Sequence, residues 1–309
     1  MDKLSAMKAF VRVVEAGTFT KAADSLGVPK AQVSRLVQSL EDELKTLLLN
    51  RTTRRVIVTA DGAAYYDRAS RMLDEIEDLE SSMTHAKVNP RGKLRIDVAP
   101  PVANLILIPK LEEFCALYPD IRIDIGVGER AVDLVGESVD CVLRYGAVSD
   151  PSLVARRIAE VRRILCASPT YLKRFGVPRH PSDLEDERHR VLAYFSFSSG
   201  RLPYTLQRGD ERYEVNARSA IAVNDFTAML AAGLAGLGIS RTAAFMAAPH
   251  LSAGKLQVVL PEWAAATVPL FVVYPPNRHV SAKLRVFIDW AVDLIKRTID
   301  ERTLNEPSS

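Results

Sequence analysis

Four polar residues of types that suit nucleic-acid contacts lie within the run KAQVSRLVQSL: Lys30, Gln32, Ser34 and Arg35. A Gln amide can pair with an adenine edge and an Arg guanidinium with guanine, while Lys and Ser suit phosphate oxygens. On one face of a helix, these side chains would form a surface suited to a DNA major groove. The alternative is an ordinary solvated helix face, so the flanking sequence has to decide.

A second basic group follows in NRTTRRVIVT, where Arg51, Arg54 and Arg55 surround Thr53. Val56 and Val58 alternate with Ile57 as in a β-strand. We therefore expect a basic β-hairpin whose side chains contact the DNA backbone or the adjacent minor groove. A polar helix followed by a basic hairpin favours DNA binding over a solvated face.

Two helical patterns position the polar residues. The first runs from Thr20 to Leu26 and ends at Gly27, a residue that tolerates the left-handed backbone after a helix. Thr18 and Thr20, at its start, are further predicted DNA contacts. The second begins beside Pro29 and carries an apolar set at spacings of three and four. An earlier apolar helix before Gly17 completes a predicted three-helix core. The apolar set of the second helix is Val33, Leu36, Val37, Leu40 and Leu44.

A longer helix is predicted from about Ala60 to Lys87, with Thr59 as its cap. Its apolar residues are spaced four and three apart, as in a helix that pairs with a second helix. At about 1.5 Å per residue it spans roughly 40 Å. The alternative is an amphipathic helix lying on its own domain. The predicted dimerisation residues are Tyr65, Ala69, Met72, Ile76, Leu79 and Met83.

The run from Leu4 to Gly62 resembles the amino-terminal domain of LysR-type transcriptional regulators, through AMKAFVRVVEAGTFTKAADSLGV, QVSRLVQSLEDEL and RTTRRVIVTADG in that order. The resemblance implies a winged helix-turn-helix domain over residues 1–58 and a dimerising linker helix over residues 59–89. Two positions depart from the family pattern. Lys45 stands where glycine usually closes the second helix, at a cost of about 1 kcal/mol, and Leu49 stands where phenylalanine is common.

Composition indicates a folded protein of more than one domain, with 309 residues, 48% hydrophobic and 26% charged. Residues 1–58 hold ten Lys and Arg against six Asp and Glu, a local charge of +4 against +3 for the whole chain, so the excess positive charge lies at the amino end. Charged residues interrupt the early apolar run, and no stretch of 18 apolar residues occurs, so we expect a cytoplasmic protein without a membrane segment. Cys115, Cys141 and Cys166 are expected to be buried free thiols, with a peroxide sensor as the alternative.

Strand and helix patterns alternate after the hinge-like Asn89-Pro90-Arg91-Gly92. This order predicts a parallel sheet with helices on both faces. Strands are expected at 94–98, 121–127 and 141–143, with helices at 105–117 and 132–135. Residues 90–162 and 268–302 would form one lobe and residues 163–267 a second. The pattern resembles the two-lobed, periplasmic-binding-protein-like effector domain of the same family, within residues 90–309. The predicted fold class is thus α/β overall, with an all-α amino-terminal domain.

A ligand of such a fold is expected between the lobes, at the carboxyl ends of strands. For each residue there, an ordinary loop or helix-capping role is the alternative. Pro100 and Pro101 offer neither the hydroxyl that many relatives have nor an N–H, which disfavours an anionic effector, although Arg144 could pair with a carboxylate. The predicted effector contacts are Pro100, Pro101, Val102, Gly128, Arg144, Tyr145, Phe195, Ser196, Ser198, Asn224 and Asp225.

Motifs of catalysis and metal binding are missing from the sequence: there is no GxSxG, HExxH, CxxC or phosphate-binding glycine loop. We expect a regulator and not an enzyme, without a cofactor other than a small-molecule effector. Its partners would be partly palindromic double-stranded DNA, further copies of itself as a dimer or tetramer, and, as a candidate, RNA polymerase. The rival interpretation is a cytoplasmic solute-binding protein of the same two-lobed fold.

Overall fold

The computed structural model describes residues 2–51, 56–83, 90–130, 132–134, 136–146, 150–197, 200–217, 219–276 and 280–304. The chain divides into two compact units, Met1–Val88 and Asn89–Ser309. Among the described helices, none is both long and apolar enough to cross a membrane.

The amino-terminal unit contains three helices, a two-stranded hairpin and a longer helix. These are α1 (Lys3–Ala16), α2 (Phe19–Leu26), α3 (Lys30–Leu44), β1 (Leu49–Arg51), β2 (Val56–Val58) and α4 (Ala60–Met83). The strands are antiparallel, with Leu49 opposite Val58. Gly17 and Gly27 end the first two helices with positive φ, as their sequence positions predict. The three-helix core buries Phe10, Val13, Val33, Val37 and Leu40.

The start of α4 packs on this core. Thr59 Oγ1 accepts from the Gly62 N–H at 2.9 Å and donates to the Leu47 carbonyl at 2.8 Å. A Cβ added to Gly62 would lie 2.0 Å from the Leu48 carbonyl oxygen, so the close approach requires glycine. The start of α4 therefore lies against the backbone of the segment that leads into β1.

The first part of the predicted dimer seam packs on its own unit. Ala69 is only 2% exposed and belongs to the core of its own unit. Tyr65 packs edge-on against Phe10, with ring centroids 5.6 Å apart. Met72 is 55% exposed and Ile76 is half-buried, while the side chains of Leu79 and Met83 lie outside the described part of the chain. Helix α4 thus lies on its own unit from Tyr65 to Leu73.

The second unit is built on a mixed sheet. Strands β3 (Gly92–Val98), β4 (Ile121–Val127) and β5 (Cys141–Tyr145) are parallel, with β3 in the middle. A helical segment follows β3, comprising α5 (Pro100–Val102), a π-turn at Ala103–Leu107, a 3-10 turn at Ile108–Lys110 and α6 (Leu111–Leu117). The closing helix α10 (Ala282–Leu304) contributes Phe287, which packs edge-on against Phe114.

Two long strands cross between the lobes. Strand β6 (Val154–Ala167) pairs antiparallel with β14 (Ala264–Tyr274), from Val154 opposite Tyr274 to Arg163 opposite Ala265. The register shifts between Ala265 and Val268, which is a β-bulge or similar irregularity. At one end β14 also pairs with β5, and at the other with β9. The same two strands therefore belong to both lobes.

The second lobe surrounds the far ends of these strands. Its elements are α7 (Pro169–Phe175), β7 (Ala193–Ser196), β8 (Gly200–Arg201), β9 (Thr205–Arg208), β10 (Glu211–Glu214), β11 (Ala222–Val223), α8 (Phe226–Leu234), β12 (Ser240–Ala243), α9 (Ala244–Ser252) and β13 (Gln257–Val258). Its core includes Tyr171, Leu184, Leu206, Ile239 and Trp263.

Two local predictions are wrong. The described residues between 132 and 135 form no helix: Asp133 Oδ1 accepts from the Gly136 N–H at 2.9 Å and closes a turn instead. Cys115 is exposed, whereas Cys141 and Cys166 are buried free thiols as predicted. Burial raises the pKa of Cys141, and raises that of Cys166 to about 11, so both are held as neutral thiols at physiological pH.

Candidate functional site

The exposed face of α3 is the candidate DNA-binding surface. Val33, Val37 and Leu40 are buried in the core, which fixes the rotation of the helix. The opposite face carries Lys30, Gln32 and Arg35 in solvent, with Ser34 half-buried. The arrangement presents amide, guanidinium and ammonium groups near the start of a helix, the geometry in which helix-turn-helix proteins contact base edges.

The remaining predicted DNA contacts are placed only in part. Thr20 is exposed, and Thr18 caps α2 by accepting from the Lys21 N–H at 3.2 Å. Thr18 therefore has a structural role whether or not it meets DNA. Arg51 ends β1, but its side chain lies outside the described residues, as do Thr53, Arg54 and Arg55.

Glu41 joins α3 to the hairpin, a role that the sequence did not suggest. It is 3% exposed, and its Oε1 accepts from the backbone N–H groups of Leu48 at 2.9 Å and Leu49 at 3.0 Å. Between them, Lys45 adopts φ 51° and ψ 35°, the left-handed conformation in which glycine is favoured. The carboxylate thus fixes the start of β1 against the end of the polar helix.

The second candidate site lies at the carboxyl ends of β3, β4 and β5. Arg144, near the end of β5, forms an ion pair with Asp97 of β3 and also donates to the Arg130 carbonyl at 3.4 Å. Asp97 is buried between two apolar residues of the same strand, Ile96 and Val98. Because these strands are parallel, their final residues meet at one edge of the sheet, the usual ligand position in open α/β folds.

Buried polar atoms without partners are concentrated here. Among the described residues, such atoms include Glu129 Oε1, Arg144 Nη1, Tyr145 Oη and Asp225 Oδ2. Only two others occur in the described part, on His189 and Tyr204. Buried polar groups normally have partners, so this concentration makes the edge of the sheet the candidate ligand site.

The second lobe contributes Asp225 and an aromatic pair. Asp225 caps α8 by accepting from the Ala228 N–H at 2.7 Å. Tyr194 of β7 stacks on Phe226 with ring centroids 4.5 Å apart and an interplanar angle of 14°. Burial, followed by the charges of Glu129 and Asp225, raises the pKa of Tyr194 to about 12. Residues of both lobes are therefore close enough to interact, and we call this group (Asp97, Glu129, Arg144, Tyr145, Tyr194, Asp225 and Phe226) the effector pocket.

Glu129 has the most perturbed carboxyl group of the pocket. Burial raises its pKa to about 7, against the lowering effect of Arg144 and with smaller upward contributions from Asp225 and Asp97. Near neutral pH this carboxyl group changes its protonation state easily, as functional carboxylates often do.

The predicted effector residues divide into three groups. Arg144, Tyr145 and Asp225 lie in the pocket. Gly128 precedes Glu129 and donates to the Val98 carbonyl at 3.3 Å, while Phe195 and Ser196 are half-buried in β7 beside Tyr194. Pro100, Pro101 and Val102 are buried in α5, Asn224 is exposed, and Ser198 lies outside the described residues.

Four pocket residues were missed by the sequence analysis: Asp97, Glu129, Tyr194 and Phe226. Glu129 follows the predicted Gly128 and Phe226 follows the predicted Asp225, so both lie one residue beyond the predicted positions. A charged residue inside the apolar strand 94–98 was the available signal for Asp97. No group of three or more His, Cys, Asp or Glu in the described part of the chain could hold a metal ion.

Comparisons with known proteins match both units. A model of the LysR substrate binding domain matches residues 87–296. A model of the bacterial regulatory helix-turn-helix protein, lysR family, matches residues 4–63. The chain is 40% identical over 296 residues to a HTH-type transcriptional repressor of Pseudomonas aeruginosa (strain UCBPP-PA14), covering 95% of this chain and 92% of the relative.

Solved full-length structures are also similar. CrgA, a LysR-type transcriptional regulator from Neisseria meningitidis, is 32% identical with a TM-score of 0.60, covering 94% of this chain and 97% of that chain. AphB, a virulence activator of Vibrio cholerae, is 29% identical with a TM-score of 0.58, covering 94% and 98%. The predicted family and fold class are thereby confirmed: the protein belongs to the LysR family of DNA-binding transcriptional regulators and combines a helix-turn-helix domain with an effector-binding domain.

Proposed function

We propose that this regulator reads its operator through Lys30, Gln32, Ser34 and Arg35, and that a small molecule in the effector pocket alters its activity. The observation that carries the first part is the exposure of three of these residues on α3 opposite the buried Val33 and Val37. Thr18, Thr20, Arg51, Thr53, Arg54 and Arg55 add contacts to the sugar-phosphate backbone. We further propose that the protein acts in the cytoplasm and catalyses no reaction. RNA polymerase would be a further partner.

The proposed active form is a homodimer or homotetramer that contacts two half-sites. Support comes from α4, where Met72 is 55% exposed and Ile76 is half-buried. With Leu79 and Met83, these residues continue the four-three spacing of a paired helix. The seam we propose therefore starts at Met72 and excludes Tyr65 and Ala69.

The proposed effector carries a positive charge or several hydrogen-bond donors. Three carboxyl groups, of Asp97, Glu129 and Asp225, lie near Arg144, which is already paired with Asp97, so a carboxylate ligand would meet further acidic groups. The stacked Tyr194 and Phe226 rings offer a surface suited to a cation or a flat apolar group. Pro100 and Pro101 leave α5 without the N–H groups that an anion needs.

A gel-shift titration with the full-length protein tests the function. The probe is the DNA immediately upstream of the protein's own gene, and the control is a scrambled duplex of equal length. We expect tighter retardation of the upstream DNA, with affinity falling steeply as salt increases. A solute-binding protein would show neither preference nor salt dependence, and that result would contradict the proposal.

A further inference from the structure

Two arginines come together where the crossing strand β6 enters the second lobe. Arg163 lies on β6 opposite Ala243 of β12, and Arg241 of β12 lies opposite Leu165. Directly opposed residues share a face of a sheet, and so do residues two apart on one strand. Arg163 and Arg241 therefore emerge on the same face of the sheet.

Both arginines lack a carboxylate partner among the described residues. Arg241 is 5% exposed; it donates to the Pro203 carbonyl at 3.1 Å and lies over the Tyr204 ring at 4.6 Å. Arg163 donates from Nε to the Ala266 carbonyl at 2.9 Å. A guanidinium group has five N–H donors, so one backbone carbonyl for each arginine leaves further N–H groups available to a ligand.

Tyr204 provides a further unpaired group. The residue is 8% exposed, and no hydrogen-bond partner for its buried hydroxyl group occurs in the described part of the chain. Its ring lies against Arg241, and its charge interactions include both Arg241 and Arg163. A buried donor hydroxyl, a buried guanidinium group and a half-buried guanidinium group thus lie near one another.

The electrostatics of the two arginines favours binding of an anion. Burial and the charge of Arg241 lower the pKa of Arg163 to about 10, and burial lowers the pKa of Arg241. Arg241 is buried and Arg163 half-buried, and two neighbouring cations that are partly shielded from water without a counter-charge are costly. The acidic residues of the effector pocket do not contribute to the pKa shift of either arginine. That pocket therefore does not supply the counter-charge of Arg163 and Arg241.

We propose that Arg163, Arg241 and Tyr204 form a second ligand site, which binds a small oxyanion, either a carboxylate or a phosphate group. Two guanidinium groups suit the paired oxygens of such a ligand, and the phenol donates to a third acceptor position. Its ligand class is opposite in charge to that proposed for the effector pocket. An anion there would join β6, which crosses between the lobes, to β12 of the second lobe, and so link anion binding to the lobe connection.

Calorimetric titration of the full-length protein tests this site, with sodium phosphate and sodium benzoate as separate probes at constant ionic strength. We expect saturable binding of at least one probe and a rise in Tm that follows its concentration. Saturation by phosphate alone identifies a phosphate site, by benzoate alone a carboxylate site, and by both an unselective oxyanion site. Absence of saturable binding by either probe would overturn the proposal.

Variants assign the binding to the three residues. Arg163→Met and Arg241→Met should each weaken it at least about tenfold, because each removes a charged donor pair. Tyr204→Phe removes only a hydroxyl group and should weaken binding about threefold to tenfold while the apo protein stays folded. Arg162→Met, at an exposed neighbouring position, is the control and should bind as the parent protein does. Equal affinity in the parent, Arg163→Met and Tyr204→Phe proteins would refute the assignment even if Arg241→Met failed to fold.

Discussion

Replacement of Glu41 tests how the recognition helix is held against the hairpin. Glu41→Ala leaves the N–H groups of Leu48 and Leu49 buried without the carboxylate that accepts from both. At about 1–3 kcal/mol for each unsatisfied group, the free energy of unfolding of the amino-terminal unit should fall by roughly 2–6 kcal/mol. Glu41→Gln keeps an acceptor oxygen and loses only the charge, so its loss should be about 1 kcal/mol.

Urea unfolding followed by far-UV circular dichroism measures the loss, and amide hydrogen exchange at Leu48 and Leu49 locates it. Glu43→Ala is the matched control, because Glu43 pairs with Lys3 at 2.9 Å in an exposed ion pair and should contribute little. A loss in Glu41→Ala no larger than that in Glu43→Ala, or equal losses in Glu41→Gln and Glu41→Ala, would contradict this role of the Glu41 carboxylate.

Three further predictions concern the helix cap, the pocket and the linker. Lys45→Gly should raise the free energy of unfolding by about 0.5–1 kcal/mol in urea titrations, because glycine relieves the strain of φ 51° while adding freedom to the unfolded chain; an unchanged or lower value would contradict this. Glu129 has a pKa of about 7 in the folded protein against an ordinary value of 4.5. Its protonated form therefore stabilises the folded state fully below pH 4.5, and this stabilisation is lost as pH rises to 7. The free energy of unfolding falls by roughly 3 kcal/mol over this range, at about 1.4 kcal/mol for each pH unit between the two pKa values. Glu129→Gln should therefore flatten the dependence of the free energy of unfolding on pH between pH 5 and 8. Equal slopes in the two proteins would contradict this prediction. Met72→Glu should shift the mass measured by light scattering towards the monomer, and an unaltered mass would remove Met72 from the seam.

The amino-terminal fold was predictable because its signals are local. Apolar residues at spacings of three and four, with Gly17 and Gly27 after them, indicate where helices lie and end. The same periodicity does not show whether an apolar stripe packs on its own chain or on a second copy. Ala69 therefore looked like part of a dimer seam, although it packs on its own unit. The role of Glu41 was not predictable in this way, because its backbone partners Leu48 and Leu49 lie beyond a turn.

The effector pocket was predictable in outline only. Alternating strands and helices place ligand residues at the carboxyl ends of strands, and Arg144, Tyr145 and Asp225 follow from that rule. The acidic character of the pocket depends on Asp97 and Glu129, whose burial is set by tertiary packing of the lobes. The segment 132–135 resembled a helix, yet the Asp133 side chain competes for the backbone and closes a turn.

Discrimination between operator sequences by the Arg35→Ala variant tests most directly the claim that α3 reads DNA. Fluorescence anisotropy with the parent upstream duplex and a set of single-base-pair variants gives the ratio of affinities for each protein. We predict that Arg35→Ala lowers the discrimination at one base pair by about 1–3 kcal/mol and leaves the other positions unaffected, whereas Arg54→Ala weakens binding to every duplex and reduces the salt slope. An equal loss of affinity for all duplexes in Arg35→Ala would show that Arg35 contacts only phosphate, and would contradict the reading of bases by this residue.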